Sequence, residues 1–139
     1  MGILYFPLDD FYLEINEGKK MPWNKYLAAQ YARDNAEDHS IGLCARYVTN
    51  AILYGGLNIP RTPYAKDMGN TLFAAGFKYA IVSMDTGDIA IIQPIPNHPY
   101  GHVCIYDGEN WISDFIQKTM YPGQAYRNAA PPFIILRHT

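Results

Sequence analysis

Two side chains in this sequence are placed to do chemistry together, and each stands just after a glycine. Cys44 lies in "HSIGLCARYVTNAILYGG", residues 39–56, behind Gly42-Leu43 and at the first turn of an expected helix. His102 opens "GHVCIYD" directly after Gly101. A thiol becomes an effective nucleophile when something lowers its pKa or takes its proton. A helix N-terminus supplies partial positive charge for the first, and a histidine supplies a base for the second. At a helix start the N–H of Cys44 has no partner within the helix and can meet a developing oxyanion. Gly42 lets a substrate backbone approach with no side chain in the way. The chemistry such a pair can do is acyl transfer through a thioester. A third group must accept a hydrogen bond from the other ring nitrogen of His102, which calls for a nearby carboxylate or amide.

The hairpin that follows His102 narrows the choice of that third group. Asp107-Gly108-Glu109-Asn110 has the composition of a tight turn, so the runs on either side are expected as antiparallel neighbours. With these four residues in the turn, Tyr106 faces Trp111, and the same register carries His102 to Phe115. One extra residue in the second strand would bring a neighbour of Phe115 onto the His102 face. Asp114 and Gln117 are the two candidates.

The elements that must position these groups divide the chain in two. Asn24 can cap a first helix carrying Tyr26, Leu27, Gln30, Tyr31 and Asn35 on neighbouring turns. The second helix begins near Leu43, repeats apolar residues at Tyr47, Val48, Ala51 and Ile52, and stops at Gly55-Gly56. Thr62-Pro63 predicts the cap and first position of a third helix ending before Gly76. From residue 77 the pattern becomes short β-rich runs: "FKYAIVS", "DIAIIQP", "GHVCIYD", "NWISDFIQ" and "PFIILRH". Helices first and an antiparallel meander second predict an α+β fold in one domain, residues 1–139.

Composition sets the remaining bounds. At 139 residues, with 49% hydrophobic and 17% charged side chains, the chain can close a globular core. The net charge of −2 is spread without a basic stripe, which argues against nucleic acid as a partner. No run reaches the roughly 18 apolar residues of a membrane span, so membrane insertion is not expected. The opening "MGILYFPLDDFYLEI" lacks the form of a secretory signal, and Phe6 stands where a myristoylation signal carries Ser or Thr.

Cys44 and Cys104 are too isolated for a zinc site or a disulfide framework, leaving one bridge or two free thiols. The histidines lack metal-binding spacing, so no metal or cofactor is expected. Tyr100, Tyr106 and Trp111 are candidates for a groove wall, with core packing as the alternative. Tyr47 and Arg46 ride on the nucleophile's helix. His98 and His39 are expected in loops, and Asp88 is expected to hydrogen-bond the turn at Gly87.

"GLCARYV", the Gly-Asp of "DTGDIAIIQP", "GHVCIYD" and "WISDF" together resemble, in type and order, the motifs of the papain-like peptidoglycan amidases of the CHAP and NlpC group, and within it the amidase effectors of type VI secretion. The resemblance runs from about Ser40 to Asp114. It implies a papain-like α+β fold with the nucleophile at a helix N-terminus packed on an antiparallel sheet. It also implies Cys44 as nucleophile, His102 as general base and Asp114 as the orienting group, choosing Asp114 over Gln117. Gly42, Tyr47, Tyr100, Gly101 and Trp111 are the expected substrate contacts. The implied substrate is a peptidoglycan stem peptide, and the implied partner a cognate immunity protein. The chain would act as a monomer, made without a signal peptide and delivered by a secretion system to the periplasm of a target bacterium. Papain itself carries a glutamine shortly before its cysteine, where this chain has Asp38, His39 and Ser40. Two other readings are a catalytically silent binding module and a protease or deamidase acting on proteins.

Overall fold

The computed structural model describes residues 22–139. The N-terminal stretch read above for export and lipidation signals lies outside the described residues. Helix α1 spans Lys25–Asn35 and begins where Asn24 accepts the N–H of Leu27 at 2.9 Å, as its side chain predicts. Helix α2 spans Cys44–Tyr54 and ends at Gly55, whose N–H returns to Ala51. Val48, Ala51 and Ile52 make one buried stripe on α2, and Ala28 and Ala32 of α1 pack into the same core. Small side chains at the crossing let the two helices approach closely.

The third predicted helix is shorter than its sequence pattern. Ala65–Asp67 is a single 3₁₀ turn, followed by α3 over Met68–Ala74. Thr62 does not cap it; its hydroxyl bonds that of Thr71 at 2.5 Å, which leaves the chain extended at Tyr64. A short helix not predicted from sequence, α4, spans Gln124–Ala129.

Five strands form an antiparallel sheet: β1 Lys78–Tyr79, β2 Ile89–Ile92, β3 His102–Tyr106, β4 Trp111–Ile112 and β5 Phe133–Arg137. Their order is β1-β5-β2-β3-β4, so the expected meander holds only for β2, β3 and β4. The last strand instead inserts between β1 and β2, giving β2 neighbours on both edges. Side chains on both faces of β2 are covered, and all four of its residues are apolar and buried. Ile89, Ile91, Val103, Ile105 and Leu136 face α1 and α2. Each fully buried isoleucine among them stabilises the fold by about 1.5–3 kcal/mol relative to exposure.

The opposite face of the sheet differs in kind. Ala90, Cys104 and Trp111 make a small cluster there, covered by the segment that runs from β4 into α4. The predicted pairing of Tyr106 with Trp111 is observed, and Ile105 pairs with Ile112. The pairing then stops. Ser113 donates its N–H to Phe115 at 3.0 Å and Gln117 donates to Trp111 at 2.9 Å, so the chain folds back on itself after two paired residues. The eight-residue run "NWISDFIQ" is therefore not one strand, and Phe115 never reaches His102. Among the described residues, no helix is long and apolar enough to cross a membrane.

Candidate functional site

The early end of β4 creates the site. Tyr106 exchanges backbone bonds with the β2 side, its N–H going to Asp88 at 2.9 Å. By alternation the N–H of Val103 points toward β4, which has no residue left to receive it. The first residue of α2 takes that place. Cys44 sits there, where the nearby N–H groups of Val103, of Ala45 and of Cys44 itself favour the charged form of its thiol. These last two are free because the first turn of a helix leaves them unused.

His102 is 7% exposed at the open end of β3. Gly101 before it has φ +72, and a Cβ there would stand 2.5 Å from the carbonyl oxygen of Ile92, so only glycine fits. The ring is held by Gln117: His102 Nε2 and Gln117 Oε1 are 2.8 Å apart. Gln117 Nε2 in turn donates to the carbonyls of Thr119 and Met120, both at 2.9 Å. With the amide nitrogen committed to two acceptors, the amide oxygen must face the ring, and His102 Nε2 must carry the proton. Nδ1 is then the basic nitrogen. Burial lowers the pKa of His102 below its ordinary 6.5, with the Gln117 hydrogen bond and the Asp114 charge acting against it.

The hydrogen bond to the imidazole that was expected from Asp114 is made by Gln117 instead, the alternative that the hairpin reading had kept open. The reason lies in the fold-back at Ser113, which turns Asp114 toward the loop before Cys44 and swings Gln117 beneath His102. Asp114 is fully buried. Its Oδ2 accepts the N–H groups of Ile41 at 2.7 Å and Leu43 at 3.1 Å, and its Oδ1 accepts the hydroxyl of Ser113 at 3.2 Å. No side chain caps α2 from Leu43, so the carboxylate of Asp114 braces the turn that leads into it. The carbonyl of Asp114 also receives the N–H of Glu37 at 2.7 Å.

Cys44 and His102 line one cleft of about 950 Å³, together with Gly42, Tyr100, Gly101, Asp114 and Tyr126. Gly42 has φ +77 with open space where a Cβ would point, as expected of a residue that a ligand passes. Tyr100 is stacked on Tyr64 at the rim, their centroids 4.3 Å apart. Arg46 and His98 also line the cleft.

Two expected contacts do not reach it. Tyr47 turns away to donate its hydroxyl to Glu37 at 2.5 Å. Trp111 is buried against Ala90 and Cys104 on the sheet face, because its pairing with Tyr106 points it inward. The expected lowering of the Cys44 pKa is also reversed. Burial holds the thiol above its ordinary value, the Val103 N–H acts against this, and the Asp114 charge adds to it.

Both thiols are free. Cys104 is buried in the core, and burial pushes its pKa up. Asp88 accepts the N–H of Asp85 across the turn at 2.8 Å, the contact expected of it, and is also buried under a two-pronged bond from Arg137 that was not expected, at 2.7 and 2.8 Å. Among the described residues, no cluster of three or more His, Cys, Asp or Glu could hold a metal ion. Tyr126 was not singled out in the sequence. Its only signal there is a tyrosine shortly after Pro122-Gly123.

No protein-family model matches this chain, and no curated protein does. Solved structures do. A chain of the type VI native effector–immunity complex Tae3–Tai3 from Ralstonia pickettii is 50% identical and superposes with a TM-score of 0.82. The match covers 84% of the present chain and 100% of that one. The selenomethionine form of the complex gives 52% identity and a TM-score of 0.78, over 79% and 98% of the two chains.

Proposed function

The chain belongs to the Tae3 family of type VI effectors, and from that premise we propose that it is an antibacterial cysteine amidase cutting amide bonds of peptidoglycan peptides. The reading is supported above all by one arrangement: the thiol of Cys44 and the imidazole of His102 share a cleft, with Nδ1 left basic by the Gln117 bond to Nε2. A nucleophile at a helix start and an imidazole on an adjoining strand, steadied by an amide, is the papain-like pattern. In this reading the orienting residue is Gln117, and Asp114 positions the turn before the nucleophile.

The chemistry follows from that geometry. Nδ1 of His102 takes the thiol proton as sulfur attacks the amide carbon, and the carbonyl π pair moves onto oxygen. Collapse restores the C=O bond and breaks the C–N bond, and the leaving nitrogen takes the proton back from His102. A thioester remains. Water then attacks it, giving its proton to His102, and the second tetrahedral intermediate expels the Cys44 sulfur, which recovers that proton. Because burial disfavours the thiolate in the free protein, the proton transfer has to accompany substrate engagement.

Gly42, Gly101 and Tyr100 line the path a stem peptide would take. The solved relatives are effector–immunity complexes, so a cognate immunity protein that covers this cleft is the expected partner. Delivery by a type VI machine to the periplasm of a target cell, action as a monomer, and a single domain complete the proposal.

The test is incubation of purified peptidoglycan with the parent protein and with Cys44→Ala, with released fragments read by mass spectrometry. We expect fragments from the parent and a loss of at least about a thousandfold in the variant. Equal release by the two proteins overturns the reading. Cleavage of a protein panel with peptidoglycan left intact would move the same cysteine chemistry to protein substrates.

A further inference from the structure

Tyr126 is buried to 4% exposure, yet its hydroxyl is the one buried side-chain polar atom among the described residues with no hydrogen-bond partner. Leaving such a group unpaired is costly, of the order of a lost hydrogen bond, and an atom of this kind calls for an explanation in function. Its position supplies one. The ring packs with Ile92 and Ile95, and its centroid lies 6.0 Å from that of His102 and 5.3 Å from that of His98. The residue lines the same cleft as Cys44.

We infer that the Tyr126 hydroxyl is the second hydrogen-bond donor to the oxyanion formed at the carbonyl attacked by Cys44, a role that rests on the cysteine-amidase reading above. The first donor is the N–H of Cys44. Of Asp38-His39-Ser40, where papain's glutamine would lie, Asp38 and His39 line a separate depression, and Ser40 stands exposed at the edge shared by that depression and the cleft. Burial, and after it the charge of a Cys44 thiolate, pushes the Tyr126 pKa up to about 12. The phenol therefore keeps its proton at working pH and can only be stabilised further by an incoming acceptor. The step balances within the reaction already written: as the C–S bond forms, the π pair on oxygen accepts the O–H of Tyr126, and no proton is transferred.

Tyr126→Phe removes only the hydroxyl. Because that hydroxyl has no partner in the free protein, the variant should melt within a degree or two of the parent or slightly above it. On soluble muropeptide substrate, kcat should fall by about 10²–10³ with KM changed by no more than a few-fold. Alkylation of Cys44 by iodoacetamide forms no oxyanion and should proceed at the parental rate. Parental kcat in Tyr126→Phe overturns the inference. So does a large fall in melting temperature, which assigns the hydroxyl a structural partner, or an alkylation rate that falls as far as kcat, which assigns it to the Cys44–His102 pair. Cys44→Ala runs in parallel: if it stays active, the amidase reading fails. If it is dead while Tyr126→Phe is unimpaired, only the tyrosine inference fails.

Discussion

The two ends of the β2–β3 pair each bury a carboxylate completely, and they do so in opposite ways. At the Tyr106 end, Asp88 is met by both prongs of the Arg137 guanidinium and by the N–H of Asp85 at 2.8 Å, so its charge is cancelled where it stands. At the His102 end, Asp114 is held by two backbone N–H groups and a serine hydroxyl, and among the described residues no lysine or arginine pairs with it. A bidentate charge pair makes a rigid corner and does little else. A carboxylate braced by neutral donors fixes the backbone of a loop while its field still reaches the thiol and the imidazole nearby. One end is closed by a charge pair, and the other leaves its charge acting on the side chains of the cleft.

The contrast sharpens most at Gln117. Gln117→Ala frees the imidazole to rotate and removes the acceptor that keeps the proton on Nε2. Turnover should fall about a hundredfold, as expected when a reacting group loses its alignment. Measured kcat with Cys44 alkylation as a second readout checks this, and unchanged kcat would mean the ring is aligned by its packing alone.

The two carboxylates themselves give the next comparison. Asp114→Ala leaves the N–H groups of Ile41 and Leu43 without an acceptor and loosens the turn before Cys44. We expect about 1–3 kcal/mol of lost stability and roughly a tenfold fall in kcat. Asp88→Ala should cost stability on the same scale, about 1–3 kcal/mol, because Arg137 is partly exposed and can recover water. Its kcat per folded molecule should match the parent. Urea denaturation with activity assays separates the two, and a kcat defect in Asp88→Ala would erase the distinction drawn here.

The smallest effect is on pH. The folded pKa of His102 is depressed, chiefly by burial. Between that value and the unfolded 6.5, the unfolded chain binds a proton that the folded chain does not. This contribution to stability is full above about pH 6.5 and is lost as pH falls through the folded pKa. Melting temperatures of the parent should decline on acidification in that window, and His102→Asn should flatten the decline. The acidic limb of the kcat/KM profile should likewise lie below the ordinary histidine range.

Much of this protein was legible without coordinates. Cys44 at a helix start, His102 after a glycine that cannot carry a Cβ, and the Tyr106–Trp111 register all follow from spacing and local backbone preference. The insertion of β5 between β1 and β2 was not legible, because strand order is set by long-range packing and leaves no local periodic trace. Trp111 carried no signal either, since an aromatic in an alternating run suits a groove wall and a buried face equally well.

What the sequence alone determined was the placing of Cys44 at a helix start and His102 at a strand start, since helix starts, turns and strand alternation are properties of neighbours along the chain. Which side chain stands behind the imidazole was decided only in three dimensions. The strand after the hairpin breaks after Ile112 where the chain folds back, with Ser113 donating to Phe115, Gln117 to Trp111 and Glu37 to the carbonyl of Asp114, and that rotation exchanges the places of Asp114 and Gln117. An unpaired hydroxyl such as that of Tyr126 is likewise visible only once every possible partner has a position.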